Sequence, residues 1–401
     1  MPDLGDAFLA LGMSFLIALL TTPVAGRLAW RWGAIDEPRE RGLHQFPTPR
    51  LGGLAILAAV IASGLVFLPN DQEMRGILIG AAVIVAVGAA DDLFELSADV
   101  KIAGQVLAAV IPVASGVRIE NVTVPFIGPL EFGDLSYVLT VIGIVAVMNI
   151  VNFIDGVDGL AAGVCTIAAL TFGAIALSLD RNAAGVLALI TAGAALGYLR
   201  HGFHPATIFL GDSGSNLLGY LLAGIAVQGA LKTNAVVALV FPLVILAVPI
   251  LDSSFVIAKR LKYRKPVYTA DRWHFHHRFA NIGFSPRRTT LYLYAWTLVL
   301  ALLALALRFV PYSDDHGNFH TGWTLVMVGF GIATVAASVY LVVVLEILKL
   351  KRFRQGQVGR LRTMRGQAPP DEHEIDEGVA RELETGEFEA IDVGRETAPS
   401  D

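Results

Sequence analysis

The stretch LSYVLTVIGIVAVMNIVNFIDGVDGLAAGVCTIAALTFGAIALSL, residues 135–179, sets how the rest of the chain is read. It holds two apolar runs, Leu135–Ile154 and Gly159–Leu179, each close to the roughly 20 residues a helix needs to cross about 30 Å of hydrocarbon. Between them lies NFIDGVDG (Asn152–Gly159). Asn152, Asp155 and Asp158 are three residues apart, which in a helix places them on one face. The two Asp-Gly pairs also let the chain turn there. Asp158 can cap the second run, but capping uses one carboxylate and leaves Asp155 and Asn152 unexplained.

The same pattern recurs along the chain. Its 401 residues are 55% hydrophobic and 16% charged, with a mean hydropathy of +0.62. A soluble domain is about one quarter charged, so the composition excludes an ordinary soluble enzyme. Nine further runs are apolar enough to span: Ala7–Gly26, Leu51–Asn70, Gly76–Ala90, Ile102–Val117, Asn182–Leu199, Ser213–Leu231, Thr233–Leu251, Thr289–Leu307 and Thr321–Leu345. The expected fold is an all-α polytopic membrane protein of about eleven transmembrane helices. An alternating segment at 118–134 (RIENVTVPFIGPLEFGD) predicts a small external β-hairpin.

Eleven spans put the termini on opposite sides, and the distribution of Lys and Arg orients them. With the N-terminus outside, the inner loops hold 16 Lys/Arg and the segment from Lys349 holds nine, against five outside (Arg75, Arg118, Arg181, Lys232, Arg308). The C-terminus is therefore expected in the cytoplasm. Three parts follow: a transmembrane catalytic domain over 1–350, a basic juxtamembrane segment over 351–370 suited to anionic lipid, and an acidic tail over 371–401. The tail carries twelve acids against Arg381 and Arg395 and is expected to be disordered. The single cysteine, Cys165, excludes an intramolecular disulfide and a cysteine metal site.

Each inner loop carries one polar stretch: Asp36–Gly53, Asp91–Gln105, Asn152–Gly159, His204–Asn216 and Thr269–Phe279. Ionisable groups near hydrocarbon are costly, so their grouping at helix ends reads as a site. The adjacent acids Asp91 and Asp92 favour a nearby cation or a shared proton, and Lys101 and Gln105 follow on the next helix. Their bland reading is a solvated helix end. Asp212, with Ser213, Gly214 and Ser215, opens a helix whose free N–H groups suit a phosphate, while the acid suits Mg²⁺. His274, His276, His277 and Arg278, with His44 and Arg50 in the first loop, offer donors to an anionic substrate; a zinc site at the histidines is the rival reading. Acids for a divalent ion and bases for oxyanions on one membrane face point to phosphoryl transfer between a soluble donor and a lipid acceptor.

The motifs RxxH…PxPRxGG, DDxxxLSxxxKxxxQ, NxxDGxDGL, FxGDxGS and HxHHR occur in this order between Asp36 and Arg288. In this the chain resembles the polyprenyl-phosphate N-acetylhexosamine-1-phosphate transferases, of glycosyltransferase family 4 type. The HxHHR form and the Asp36-x-Pro38 lead-in resemble the branch that uses UDP-GlcNAc with undecaprenyl or decaprenyl phosphate. The resemblance implies transfer of GlcNAc-1-phosphate to the lipid, giving UMP and polyprenyl-diphospho-GlcNAc. It also implies Mg²⁺ or Mn²⁺ in its place, a bacterial cytoplasmic membrane with the site facing the cytoplasm, and a homodimer. By motif, Asp212 and Asp155 are metal ligands, and Asp91 is the base toward the lipid phosphate with Asp92 beside it. Lys101, Asn152 and Asp155 belong to the catalytic set. Asp158 and Phe209 fall near uridine, and His274, His276, His277 and Arg278 near the sugar or diphosphate, with His44 and Arg50 as further substrate contacts. One position departs from the pattern: Gly202 stands where the family usually carries an Asn that contacts the nucleotide, leaving His201 as the neighbour able to replace it. Two alternatives stay open, the phospho-N-acetylmuramoyl-pentapeptide transferases of peptidoglycan synthesis and, in a different class, a transporter of an anionic compound. The chain lacks the internal repeat usual in transporters.

Overall fold

The computed structural model describes residues 4–37, 46–124, 128–231, 240–262, 275, 279, 284–312 and 320–364. The protein is a polytopic helical assembly. Helix α1 (Leu4–Trp32) leads into a short antiparallel pair, β1 (Ile35–Asp36) and β2 (Thr48–Pro49). Then come α2 (Gly52–Phe67), α3 (Gln72–Phe94), α4 (Ala98–Ala114), the strand pair β3 (Asn121–Val124) and β4 (Gly128–Glu131), α5 (Leu135–Ile154), α6 (Leu160–Ser178) and α7 (Asn182–Gly202). Helix α8 (Gly211–Ala226) continues through a π-helical turn, Val227–Leu231. The remaining helices are α9 (Val240–Ile245), α10 (Ala247–Lys262), α11 (Pro286–Phe309) and α12 (Thr321–Met364).

Seven of these helices are long and apolar enough to cross a membrane: α1, α3, α5, α6, α7, α11 and the first half of α12. Their outward faces are what lipid requires. On α1, Leu16 and Leu20 are exposed, as are Ile332 and Val335 on α12. Rows of bare aliphatic side chains of this kind are stable against hydrocarbon and unstable against water.

Helix α8 is the axis of the bundle. Every residue from Ser213 to Ala226 is buried, and α2, α3, α5, α6 and α7 surround it. Between helices in lipid the driving force is close packing, so small residues mark the contacts. Gly53 at the start of α2 lies directly against the Ser213–Gly214 backbone, Gly88 of α3 against Ser213, and Gly219 against Met148 of α5. A Cβ at any of these would collide with backbone. Helix α5 presents a stripe at every fourth residue (Ser136, Thr140, Ile144, Met148), all buried.

The apolar run at Thr233–Leu251 is not one helix. Its described part breaks between α9 and α10, and α10 runs on to Lys262. The apolar criterion ended that span at Leu251 because it rejects Asp252, Lys259 and Arg260, yet Asp252 and Arg260 are buried within the helix. Helix α11 likewise starts three residues before the apolar run, where Ser285 caps the N–H of Arg288 and Pro286 opens the first turn. Helix α12 continues through the first part of the basic segment to Met364. The acidic tail lies outside the described residues.

Candidate active site

Four chain segments, the first of them the loop that carries Asp36, deliver carboxylates to one cavity of about 370 Å³. Its wall includes Asp92 from the end of α3, Asp155 and Asp158 from the turn after α5, and Asp212 from the first turn of α8. Arg50, Asn152 and Phe209 line it too.

Asp92 points its carboxylate at the start of α8. Oδ1 accepts the N–H of Asp212 at 2.8 Å and Oδ2 accepts the N–H of Ser213 at 3.1 Å. No side chain of α8's own N-cap residue, Leu210, does this. The expectation of free N–H groups there for a phosphate is therefore corrected: the amides of Asp212 and Ser213 are held by an acid from another helix. Gly211 makes the approach feasible. Its φ is +72°, and a Cβ there would lie 2.5 Å from Asp92 Oδ2.

Lys101 closes the other side. From the first turn of α4 its Nζ lies 2.5 Å from Asp91 Oδ2 and 3.0 Å from Asp212 Oδ2. Asp91 also accepts the N–H of Leu96 at 2.8 Å, where the chain leaves α3. Thus each of the two adjacent acids has its own partners. Asn152 donates to Asp212 Oδ1 and to Ser215 Oγ, both at 2.9 Å. Behind them Gln105 donates to Asn216 Oδ1 at 2.9 Å and accepts from Asn149 Nδ2 at 2.7 Å. This network locks α4, α5 and α8 together beneath Asp212. Asn149 escaped the sequence reading, although it stands one helical turn before Asn152.

Asn152, Asp155 and Asp158 do not share a helical face. Helix α5 ends at Ile154, so Asp155 and Asp158 lie beyond it, yet all three residues still line the one cavity. Asp155 faces the cavity. Burial in its wall, with Asp212, Asp92 and Asp158 nearby, holds its carboxyl well above the usual carboxylate range. Asp158 does not cap α6, whose N-cap is Gly159 without a side-chain bond. Its Oδ2 instead meets His204 Nδ1 at 2.8 Å and accepts the N–H of Ala206 at 3.1 Å, fastening the loop after α7. His204 is a cavity residue that sequence reasoning quoted but did not assign.

The first loop reaches the cavity through β2. Arg50 pairs with Asp36, a second wall residue missed from sequence, because β1 and β2 run side by side. The Phe209 N–H donates to Pro49 at 2.8 Å, and the Gly52 N–H donates to Phe209 at 3.1 Å, so this edge is tied to α8's approach. At Gly202 a side chain would run into the Tyr198 ring, which fills that part of the wall. His201 does not replace the missing Asn: its Nε2 lies 3.1 Å from the Leu19 carbonyl on α1, away from the cavity. His44, His274, His276, His277 and Arg278 lie outside the described residues.

A family model described as glycosyl transferase family 4 matches residues 74–230. The chain is 37% identical over 314 residues to a probable undecaprenyl-phosphate N-acetylglucosaminyl 1-phosphate transferase of Bacillus subtilis, covering 76% of this chain and 87% of that protein. The chain belongs to glycosyl transferase family 4. It is also 35% identical to the decaprenyl-phosphate N-acetylglucosaminephosphotransferase of Mycobacterium tuberculosis H37Rv, over 77% of this chain and 84% of that one. A phospho-N-acetylmuramoyl-pentapeptide-transferase of Desulforudis audaxviator is 32% identical, over 74% and 96%. The glycosyl transferase family 4 match runs from α3 to the π-helical turn, and so covers Asp92, Asp155, Asp158, Asp212 and Lys101 but not Asp36.

Proposed function

We propose that the protein transfers N-acetylglucosamine-1-phosphate from UDP-GlcNAc to a polyprenyl phosphate, releasing UMP and leaving polyprenyl-diphospho-GlcNAc, the initiating membrane step of a cell-envelope glycopolymer. The site would face the cytoplasm from a bacterial cytoplasmic membrane, on eleven spans with the N-terminus outside. The observation that carries this reading is the gathering of Asp92, Asp155, Asp158 and Asp212 from three separated segments onto one cavity wall, with Lys101 against Asp212. Relatives named for this reaction with undecaprenyl or decaprenyl phosphate support it.

The donor set suits Mg²⁺, or Mn²⁺ in its place. Among the described residues no three acids or histidines form a protein-only cage. That fits a hard cation which keeps one or two carboxylates and takes its other oxygens from phosphate and water. Asp212 and Asp155 are the residues that would hold it, and Asp155, crowded by other acids, is the carboxylate a cation would relieve. When bound, the ion would supply positive charge to the donor diphosphate.

The chain's own residues do the rest. Lys101 neutralises charge between Asp91 and Asp212, Asn152 fixes the Asp212 carboxylate, and Asp92 holds the helix that carries it. Asp91 is engaged with Lys101 and the Leu96 amide. A phosphomonoester with a second pKa near 6 is already largely dianionic at neutral pH, so the acceptor can attack directly. Asp158 and Phe209 would meet the nucleotide side, His274, His276, His277 and Arg278 the sugar and diphosphate, and His44 and Arg50 would add cationic contacts to the anionic substrate.

The test is a parallel donor assay. Purified protein with polyprenyl phosphate and Mg²⁺ should release UMP from UDP-GlcNAc and not from UDP-N-acetylmuramoyl-pentapeptide. Preference for the second donor would move the protein to the peptidoglycan branch, and release from neither would favour a transporter.

A further inference from the structure

Asp252 is a carboxylate in the body of an apolar helix, 2% exposed. A buried acid there is expensive without a partner and marks a task. Its Oδ1 accepts the backbone N–H of Phe275 at 2.6 Å, across 23 residues of chain.

Phe275 is itself an anchor. It is 2% exposed, and its ring packs 5.5 Å from Trp296 of α11 and 6.4 Å from Phe255, one turn along α10 from Asp252. Phe279, four residues on and 3% exposed, stacks on Phe284 and Tyr292. Asp252 and Phe275 also share a small cleft with Ile154 and Leu160. Those residues bracket the turn that carries Asp155 and Asp158. One carboxylate thus ties α10 to the backbone at Phe275, beside a cleft that Ile154 and Leu160 also line.

We infer that Asp252 is a positioning residue, which holds the backbone at Phe275 beside the acid-bearing turn, so that donor binding depends on a group outside the cavity. Phe275 stands between His274 and His276 in the sequence, two of the residues proposed above to meet the sugar and diphosphate. The kinetic consequence rests on the donor-binding reading above; the anchoring itself does not.

The experiment compares the full-length wild type with Asp252→Asn and Asp252→Ala. Two readouts are taken: kcat and KM for UDP-GlcNAc, and the rate of tryptic cleavage after Arg272 and Arg278 in the folded protein. Asn keeps a carbonyl acceptor in the same shape, so Asp252→Asn should raise KM several-fold with kcat within about twofold. Asp252→Ala should raise KM at least tenfold, and cleavage should quicken in the same order. A residue that only stabilised α10 would lower active-enzyme yield with KM and cleavage unchanged, and that result overturns the proposal. If Asp252→Ala does not fold, Asp252→Asn decides alone by the same two readouts. Should wild type turn over no UDP-GlcNAc, the donor reading fails and the cleavage rates still decide the anchoring.

Discussion

Asp92 caps the helix that presents Asp212: one carboxylate oxygen accepts the Asp212 amide at 2.8 Å and the other the Ser213 amide at 3.1 Å. Neighbouring acids therefore have opposite duties. Removing the cap should cost about 0.5–2 kcal/mol, the usual loss at a helix N-terminus. Asp92→Ala is expected to lower both the thermal midpoint and turnover. Asp212→Ala keeps its backbone amide, so it should hold the midpoint within a few degrees while turnover falls ~10²-fold or more, the scale for loss of one electrostatic stabiliser. Thermal unfolding in detergent beside UMP release separates the two.

Lys101 joins Asp91 to Asp212. Lys101→Met leaves both acids without their cation and should cut turnover strongly. Adding Asp91→Asn removes one of the uncompensated charges, so the double variant should be less impaired than the two single losses multiplied together. A coupling of about 0.5–3 kcal/mol is typical of groups in one network, here read from kcat/KM in a double-mutant cycle. Strict additivity would mean that Lys101 acts independently of Asp91.

Gly211→Ala tests the backbone directly. The residue sits at φ +72°, and its Cβ would meet Asp92 Oδ2 at 2.5 Å. The left-handed conformation alone disfavours an L side chain by roughly 1–2 kcal/mol, and the collision adds to it. Both midpoint and turnover should drop. Gly12→Ala in α1, where a Cβ would meet nothing within 4 Å, should leave turnover unchanged.

Asp91 is occupied by Lys101, and Asp92 by two amides. An attacking carboxylate is therefore not expected. Rapid mixing of enzyme with UDP-GlcNAc in the absence of lipid acceptor should give no burst of UMP. A burst equal to the enzyme concentration would establish a covalent phospho-enzyme instead.

The location of the site was legible in the sequence because charge near hydrocarbon is rare and costly. Asp91, Asp92, Asp155 and Asp212 stood out against the apolar runs, and the structure brings them to one neighbourhood. What each carboxylate touches was not legible. Asp158 read as a cap for its own helix and instead holds His204 and the Ala206 amide. Asp92 read as a companion to Asp91 and instead serves a helix 120 positions away. Spacing along the chain reports which residues share a helical turn. It says nothing about a partner brought in by the packing of Gly53, Gly88 and Gly214 around α8. Helix ends failed for a simpler reason: an apolar-run criterion discards arginines and acids that the structure keeps helical, as at α10 and α11.

The most direct measurement is the stoichiometry of UMP release by the purified full-length chain given UDP-GlcNAc, polyprenyl phosphate and Mg²⁺. The account predicts one UMP for each polyprenyl-diphospho-GlcNAc formed, with both products nearly abolished in Asp212→Ala. Undiminished product from Asp212→Ala, or UMP without the lipid-linked sugar, would contradict it.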